Sequence, residues 1–155
     1  MNALIREASD KFRFLVAKHG FRQEDEIGRW GTRVTFHGDV WTLYLFYGNC
    51  ELDFAAEIKY RRFPRKNPKP LWAMLEALGI ACPALAPATM VDERRLRLLV
   101  AATAEAIALH RDALSRVPTP ELFHHVERIL DRYAQRVRRS VGVKGRRRRT
   151  AIPFK

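Results

Sequence analysis

Residues 32–60 read TRVTFHGDVWTLYLFYGNCELDFAAEIKY, and three runs within them decide the fold. In the first run Val34 and Phe36 alternate with Arg33 and Thr35; in the last, Leu52, Phe54, Ala56, Ile58 and Tyr60 alternate with Asp53, Ala55, Glu57 and Lys59. A period of two places one set on a buried face of a strand and the other on a wet face. The middle run, residues 40–47, is apolar on both faces and therefore belongs at the centre of the sheet. Gly38-Asp39 supplies a two-residue loop whose leading glycine suits a type II′ hairpin, and residues 48–51 supply the next turn. The result is an antiparallel meander of three strands. Residues 22–31 add either a fourth, edge strand or, with Glu24, Asp25 and Glu26, a loop.

Upstream, Ile5, Ala8, Phe12, Leu15, Val16 and His19 follow the three-four spacing of one helical face, which packs on the meander. Lys18 and His19 suit the negative end of that helix, and Gly20 suits a left-handed stop. Downstream, the basic loop 61–70 holds three prolines that interrupt regular structure. A short helix is expected over 71–78, stopped by Gly79, with Leu71, Trp72 and Leu75 either in the core or on a homodimer face. The Thr89-Met90-Val91-Asp92 pattern has the form of a capping box, opening a long helix to about Leu114. Leu96, Leu99, Val100, Thr103, Ile107 and Leu114 are its inward positions. Thr119, Pro120 and Glu121 are an N-cap, a first helical residue and a first-turn acid. Phe123, Val126, Leu130, Tyr133 and Val137 continue the helical period. The short break at 115–118 predicts that the last two helices pair as an antiparallel hairpin. The expected fold class is thus α+β: an N-terminal helix on a three- to four-stranded antiparallel meander, a short helix, and a C-terminal helical hairpin. One domain covers 1–140, and 141–155 is expected to be a disordered basic tail.

The composition, 47% apolar with 10% aromatic residues, suffices for a folded core. No apolar run is long enough for a membrane span, and the N-terminal residues lack the unbroken apolar stretch of a secretory signal. Cys50 and Cys82 are far apart and outside any C-x-x-C, which implies a reduced, cytoplasmic protein. The net charge of +12 is unevenly distributed. Residues 136–155 carry nine Lys/Arg and residues 59–69 carry six, with no acid in either stretch. That leaves 14 bases against all 17 acids, so the body is mildly acidic and the basicity belongs to two segments.

The chain offers little for catalysis. Ser9, Ser115 and Ser140 lie outside any G-x-S-x-G turn, and the scattered glycines match neither a Walker nor a dinucleotide loop. Asp53 and Glu57 would stand about 13 Å apart along an extended strand, wide for two carboxyls sharing one glycosidic bond. Glu121, His124 and Glu127 form a Glu-x-x-His-x-x-Glu helix pattern, a weak candidate for metal ligation, without a matching copy on the preceding helix. Trp41, Tyr44, Phe46 and Tyr47 invite a base-stacking reading, but a two-sided apolar strand sends most such residues to the core. No cofactor is expected, and the balance leans away from an enzyme. The binding candidates are cationic: Arg146, Arg147, Arg148 and Arg149 in the tail, and Arg61, Arg62, Arg65, Lys66 and Lys69 in the loop, suited to nucleic acid or an acidic partner. Ile152 and Phe154 form a terminal apolar hook that can dock on a partner or on the chain's own body.

FRFLVAKHGF at 12–21, followed by RVTFHGDVWTLYLFYGNCELDFAAEI at 33–58, resembles small bacterial α+β domains of uncharacterised function, a group that includes toxin-neutralising immunity proteins. The resemblance covers residues 3–60. The absence of a catalytic cluster, and charges concentrated in exposed segments that can steer a partner, point to a non-enzymatic protein-interaction module of immunity or adaptor type whose partner is another protein. The alternative is a nucleic-acid-associated accessory protein working through the tail and the 59–69 loop.

Overall fold

The computed structural model describes residues 2–149, with side chains from 2 to 141. Five antiparallel strands lie side by side in chain order: β1 (Arg22–Ile27), β2 (Gly31–His37), β3 (Trp41–Gly48), β4 (Phe54–Tyr60) and β5 (Lys69–Pro70). The sequence predicted three to four. β1 is a strand rather than a loop, although all its side chains but that of Gln23 are exposed. With no buried face it carries no alternation to read. Its register with β2 is supported by Arg33–Glu26 and His37–Glu24 pairs, and its charges guard the sheet edge against further pairing. β5 is two residues long and ends in Pro70, which an edge strand tolerates because its outward N–H is not needed.

Two local readings shift. In the β2–β3 hairpin the Gly38 amide donates to the Trp41 carbonyl at 3.1 Å, so the loop residues are Asp39 and Val40 rather than Gly38 and Asp39. Gly38 is required for space instead. A Cβ there would lie 2.4 Å from the Phe21 ring and 2.8 Å from the Trp41 carbonyl oxygen. Phe21 packs on Trp41, with ring centroids 4.7 Å apart. The N-terminal helix is two: α1 (Ala3–Lys11) and α2 (Arg13–His19), broken at Phe12. The buried positions are Leu4, Ala8, Phe12 and Leu15, while Val16 and His19 face solvent. Gly20 caps α2 in the left-handed region, at φ 69°, as expected.

One sheet face is the core. Val34, Phe36, Trp41, Leu43, Leu45 and Ile58 are all buried there, and Phe12 of the α1–α2 break meets Phe36 at 5.0 Å. Helix α4 (Glu93–Leu114) is fastened to this face at its start and its end. Tyr47 donates to the Val91 carbonyl and Tyr60 to that of Leu114. Leu96, Val100, Thr103, Ile107 and Leu114 point inward as predicted. The helix starts later than the capping-box pattern suggests, because Asp92, not Thr89, is the N-cap; its side chain accepts from the Arg95 amide at 2.8 Å.

The expected hairpin of the last two helices is also corrected. α4 lies along α1, with Arg97 3.4 Å from Glu7, whereas α5 (Pro120–Arg149) packs on α3 (Leu71–Ala77), where Trp72 meets Tyr133 at 5.3 Å. The reason lies in the connecting turn. Tyr60 holds Leu114, the Trp41 indole donates to Ser115 at 3.3 Å, and Phe123 then seats on Tyr60 and Phe63. That anchoring sends α5 across to α3 instead of back along α4. Leu71 and Leu75 are core residues and not a dimer face. Thr119 caps α5 as predicted, accepting from the Leu122 amide at 3.2 Å. The backbone of α5 continues through Arg149, past residue 140 where the tail was expected to begin.

Candidate functional site

The second face of the sheet carries Arg33, Thr35, Thr42, Tyr44, Phe46, Glu57 and Lys59, and of these only Thr35 is buried. Register arranges them in rows across the strands. Arg22 pairs with His37, His37 with Thr42, and Thr42 with Lys59, forming one polar row at one end of the sheet. The next row is Glu24, Thr35, Tyr44 and Glu57, followed by Glu26, Arg33, Phe46 and Ala55.

The first row borders an open cleft of about 570 Å³, lined by Arg22, His37, Thr42, Tyr44, Lys59 and Arg61 with Asp39 at its rim. Glu24 partly neutralises it, lying 2.9 Å from His37 and 3.5 Å from Arg22. Lys59 and Arg61 make no ion pair among the described residues. The Arg61 amide donates to the Val40 carbonyl at 2.9 Å, which fixes the start of the basic loop beside the hairpin. The loop cations then divide. Arg61, Arg62 and Arg65 are exposed; Lys66 sits 5.8 Å over the Phe123 ring; Lys69 is held by Glu127. The last two thus fasten the loop to α5. Arg146, Arg147, Arg148 and Arg149 belong to the final turns of α5, with side chains outside the described set, and Ile152 and Phe154 lie outside the described residues.

The opposite end of the sheet exposes four large apolar side chains beside the exposed Arg29, Asn49 and Glu51. Ile27, Trp30, Leu52 and Met90 are 70%, 69%, 36% and 76% exposed, the first at the end of β1 and the others on three loops hydrogen-bonded to one another. The Asn49 amide donates to the Trp30 carbonyl at 3.0 Å and the Asn49 side chain to the Arg29 carbonyl at 3.2 Å. The Met90 and Val91 amides donate to the carbonyls of Glu51 and Leu52. Arg29 lies 5.2 Å over the Trp30 ring. Leu52 and Met90, at φ 49° and 56°, are the two non-glycine residues with positive φ among the described residues. Each is an apolar side chain held in a conformation that L-residues disfavour.

The other candidates are dispersed. His124 and Glu121 are exposed on α5, Glu127 is occupied by Lys69, and no group of three potential metal ligands gathers among the described residues. Cys50 is exposed in the β3–β4 turn, while burial pushes the Cys82 thiol up and away from the reactive thiolate. Of the four aromatics, Trp41 is core and Tyr47 is tied to α4, but Tyr44 and Phe46 are half-buried on the second face. The alternation of Leu43 and Leu45 with Tyr44 and Phe46 held that division. Trp30 and Met90 are lone apolar residues in loops and Ile27 ends a strand without a buried face, so none carries a periodic signal in the sequence. No helix among the described residues is long and apolar enough to cross a membrane. Comparison with protein-family models, curated proteins and solved structures gives no match.

Proposed function

We propose that this chain is a non-enzymatic, cytoplasmic protein-interaction module of immunity or adaptor type, whose apolar sheet end docks a partner protein. The observation that carries this reading is the exposure of Ile27, Trp30, Leu52 and Met90 at one end of the sheet, on segments whose backbones hydrogen-bond to one another. Tryptophan and arginine are the residues on which binding energy concentrates at interfaces, and here Arg29 stacks on Trp30. Positive φ at Leu52 and Met90 works against stability, and strain of this kind is kept where it positions side chains for a task. The partner is a protein with an apolar recess for the Trp30 ring and a carboxylate at its rim for Arg29.

The test is co-expression with the products of neighbouring reading frames, followed by titration of any retained partner. Trp30→Ala is expected to weaken the complex at least tenfold while leaving the thermal midpoint within a degree or two. A complex unaffected by both Trp30→Ala and Met90→Ser overturns the reading. A concentration-dependent homodimer that Trp30→Ala dissolves would assign the patch to a second copy of this chain instead.

A further inference from the structure

We propose that the second sheet face, at its cationic end, binds single-stranded nucleic acid, with phosphates on Lys59, Arg61 and Arg22 and bases on Tyr44 and Phe46. Its cationic row lies at the opposite end of the strands from the apolar loops, while Phe46 reaches toward them over Gly31 and Gly48.

Three observations converge. The first is the cross-strand row Arg22, His37, Thr42, Lys59, continued by Arg61 and by the exposed Arg62 and Arg65. Guanidinium, ammonium and hydroxyl groups in a line suit successive phosphates of one backbone. The second is the aromatic pair. Tyr44 and Phe46 share a face two residues apart on β3, about 7 Å along the strand and at right angles to the cationic row, so a strand anchored on that row and turning along β3 can set consecutive unstacked bases on them. The third is the floor beneath Phe46. A Cβ on Gly31 would come 2.8 Å from its ring and one on Gly48 3.5 Å, so the ring lies down over two positions without side chains. The side chain remains partly exposed there, as a stacking platform requires.

The shape and charge of the surface narrow the ligand. The cleft is an open trough rather than an enclosed pocket, which suits a polymer passing over it better than a mononucleotide. Bases stacked inside a duplex cannot reach rings that lie within a sheet surface, so the strand must be single. Glu24 and Glu57 flank Thr35 and Tyr44 in the aromatic row. Glu57 disfavours phosphate beside Tyr44, while Glu24, paired with His37 and Arg22, offsets part of the charge of the cationic row and leaves Lys59 and Arg61 as its cations outside any ion pair among the described residues.

The experiment uses the full chain and a fluorescent 20-nucleotide random-sequence strand, as RNA and as DNA, with anisotropy read across a salt series. Micromolar binding near physiological salt is expected. Tyr44→Ala and Phe46→Ala should each weaken it by about 5- to 150-fold. Tyr44→Leu, which keeps apolar bulk and removes the ring, supplies the same readout if the alanine variant folds poorly. Lys59→Gln and Arg61→Gln should each reduce the slope of log affinity against log salt by about 0.7. Trp30→Ala should leave strand binding within twofold, which separates this surface from the docking reading. The proposal is overturned by absence of binding, by equal affinity for duplex, by polyphosphate competing as well as the strand, or by binding that survives loss of Tyr44 and Phe46. The last outcome would assign the affinity to the arginines of α5 as a simple polycation.

Discussion

Tyr60→Phe isolates a single atom that joins the sheet to the C-terminal helices. The Tyr60 hydroxyl is 2.7 Å from the Leu114 carbonyl oxygen, in a buried setting, and Tyr60 itself is 3% exposed. Leu114 is the last residue of α4, so its carbonyl has no partner in the helical ladder. Removing the hydroxyl keeps the ring and leaves that carbonyl unsatisfied, at a cost of about 1–2 kcal/mol. With a urea dependence of about 2 kcal/mol per molar, the unfolding midpoint should fall by about 0.5–1 M at unchanged slope. The pH dependence gives a second, independent reading. Burial holds the phenol well above its ordinary value, so the folded chain keeps a proton that the unfolded chain releases near pH 10. A folded pKa that is raised contributes stability present in full below pH 10 and lost as pH climbs. The loss runs at about 1.4 kcal/mol per pH unit above 10. Phenylalanine has no such proton. Denaturation curves of the two chains should therefore converge between about pH 10.5 and 11.5, with the groups common to both chains cancelling in the difference. A midpoint shift below about 0.2 M at pH 8, or a gap that stays constant through pH 11, would refute the assignment.

Gly38→Ala should destabilise the chain by about 1–3 kcal/mol, because the new methyl meets the Phe21 ring and the Trp41 carbonyl; thermal melts would show a clear drop. Asp92→Ala should cost about 1 kcal/mol by uncapping α4, while Thr89→Ala should stay within about 0.5 kcal/mol; the reverse order would restore the capping-box reading. Burial raises the Glu57 carboxyl above its ordinary value, so the folded state disfavours its charge. Glu57→Gln should accordingly raise the thermal midpoint at pH 7, and the gain should vanish below about pH 4, where both folded and unfolded wild-type chains hold the proton. Met90→Gly should raise stability slightly by relieving φ 56°, while weakening partner binding; a fall in midpoint would show that the residue is not strained.

What could be read in advance follows from where water is excluded. β2, β3 and β4 were legible because one side of each meets the core, so burial imposes a period of two. β1 was ambiguous because neither of its faces is buried, and β5 was hidden because two residues cannot display a period. Leu52 shows the opposite error. It continues the alternation of β4 in sequence, yet it sits in the preceding loop at φ 49°, exposed among the apolar loop tips. The partnering of α5 was illegible for another reason. The length of a connector suggests whether helices can turn back, but the choice here was made by Tyr60, Trp41 and Phe123, whose contacts are distant in sequence.

The cationic row is a consequence of register, which is why charge counting along the chain did not locate it. Lys59 and Arg61 were visible as the start of a basic segment, while Arg22 and His37 lay outside any charge run. Pairing Trp41 with Tyr60 fixes Lys59 beside Thr42, and pairing His37 with Thr42 brings Arg22 into the same line. A slip of one residue in β4 would turn Lys59 inward and bring Ile58 to the surface, exchanging a buried apolar side chain for a buried charge. The core therefore enforces the row. The same register that buries Trp41, Leu43 and Leu45 sends Tyr44 and Phe46 to the opposite face, alongside the cations. A surface suited to a single strand thus follows from the packing of the inner face and needs no further structural element to hold it.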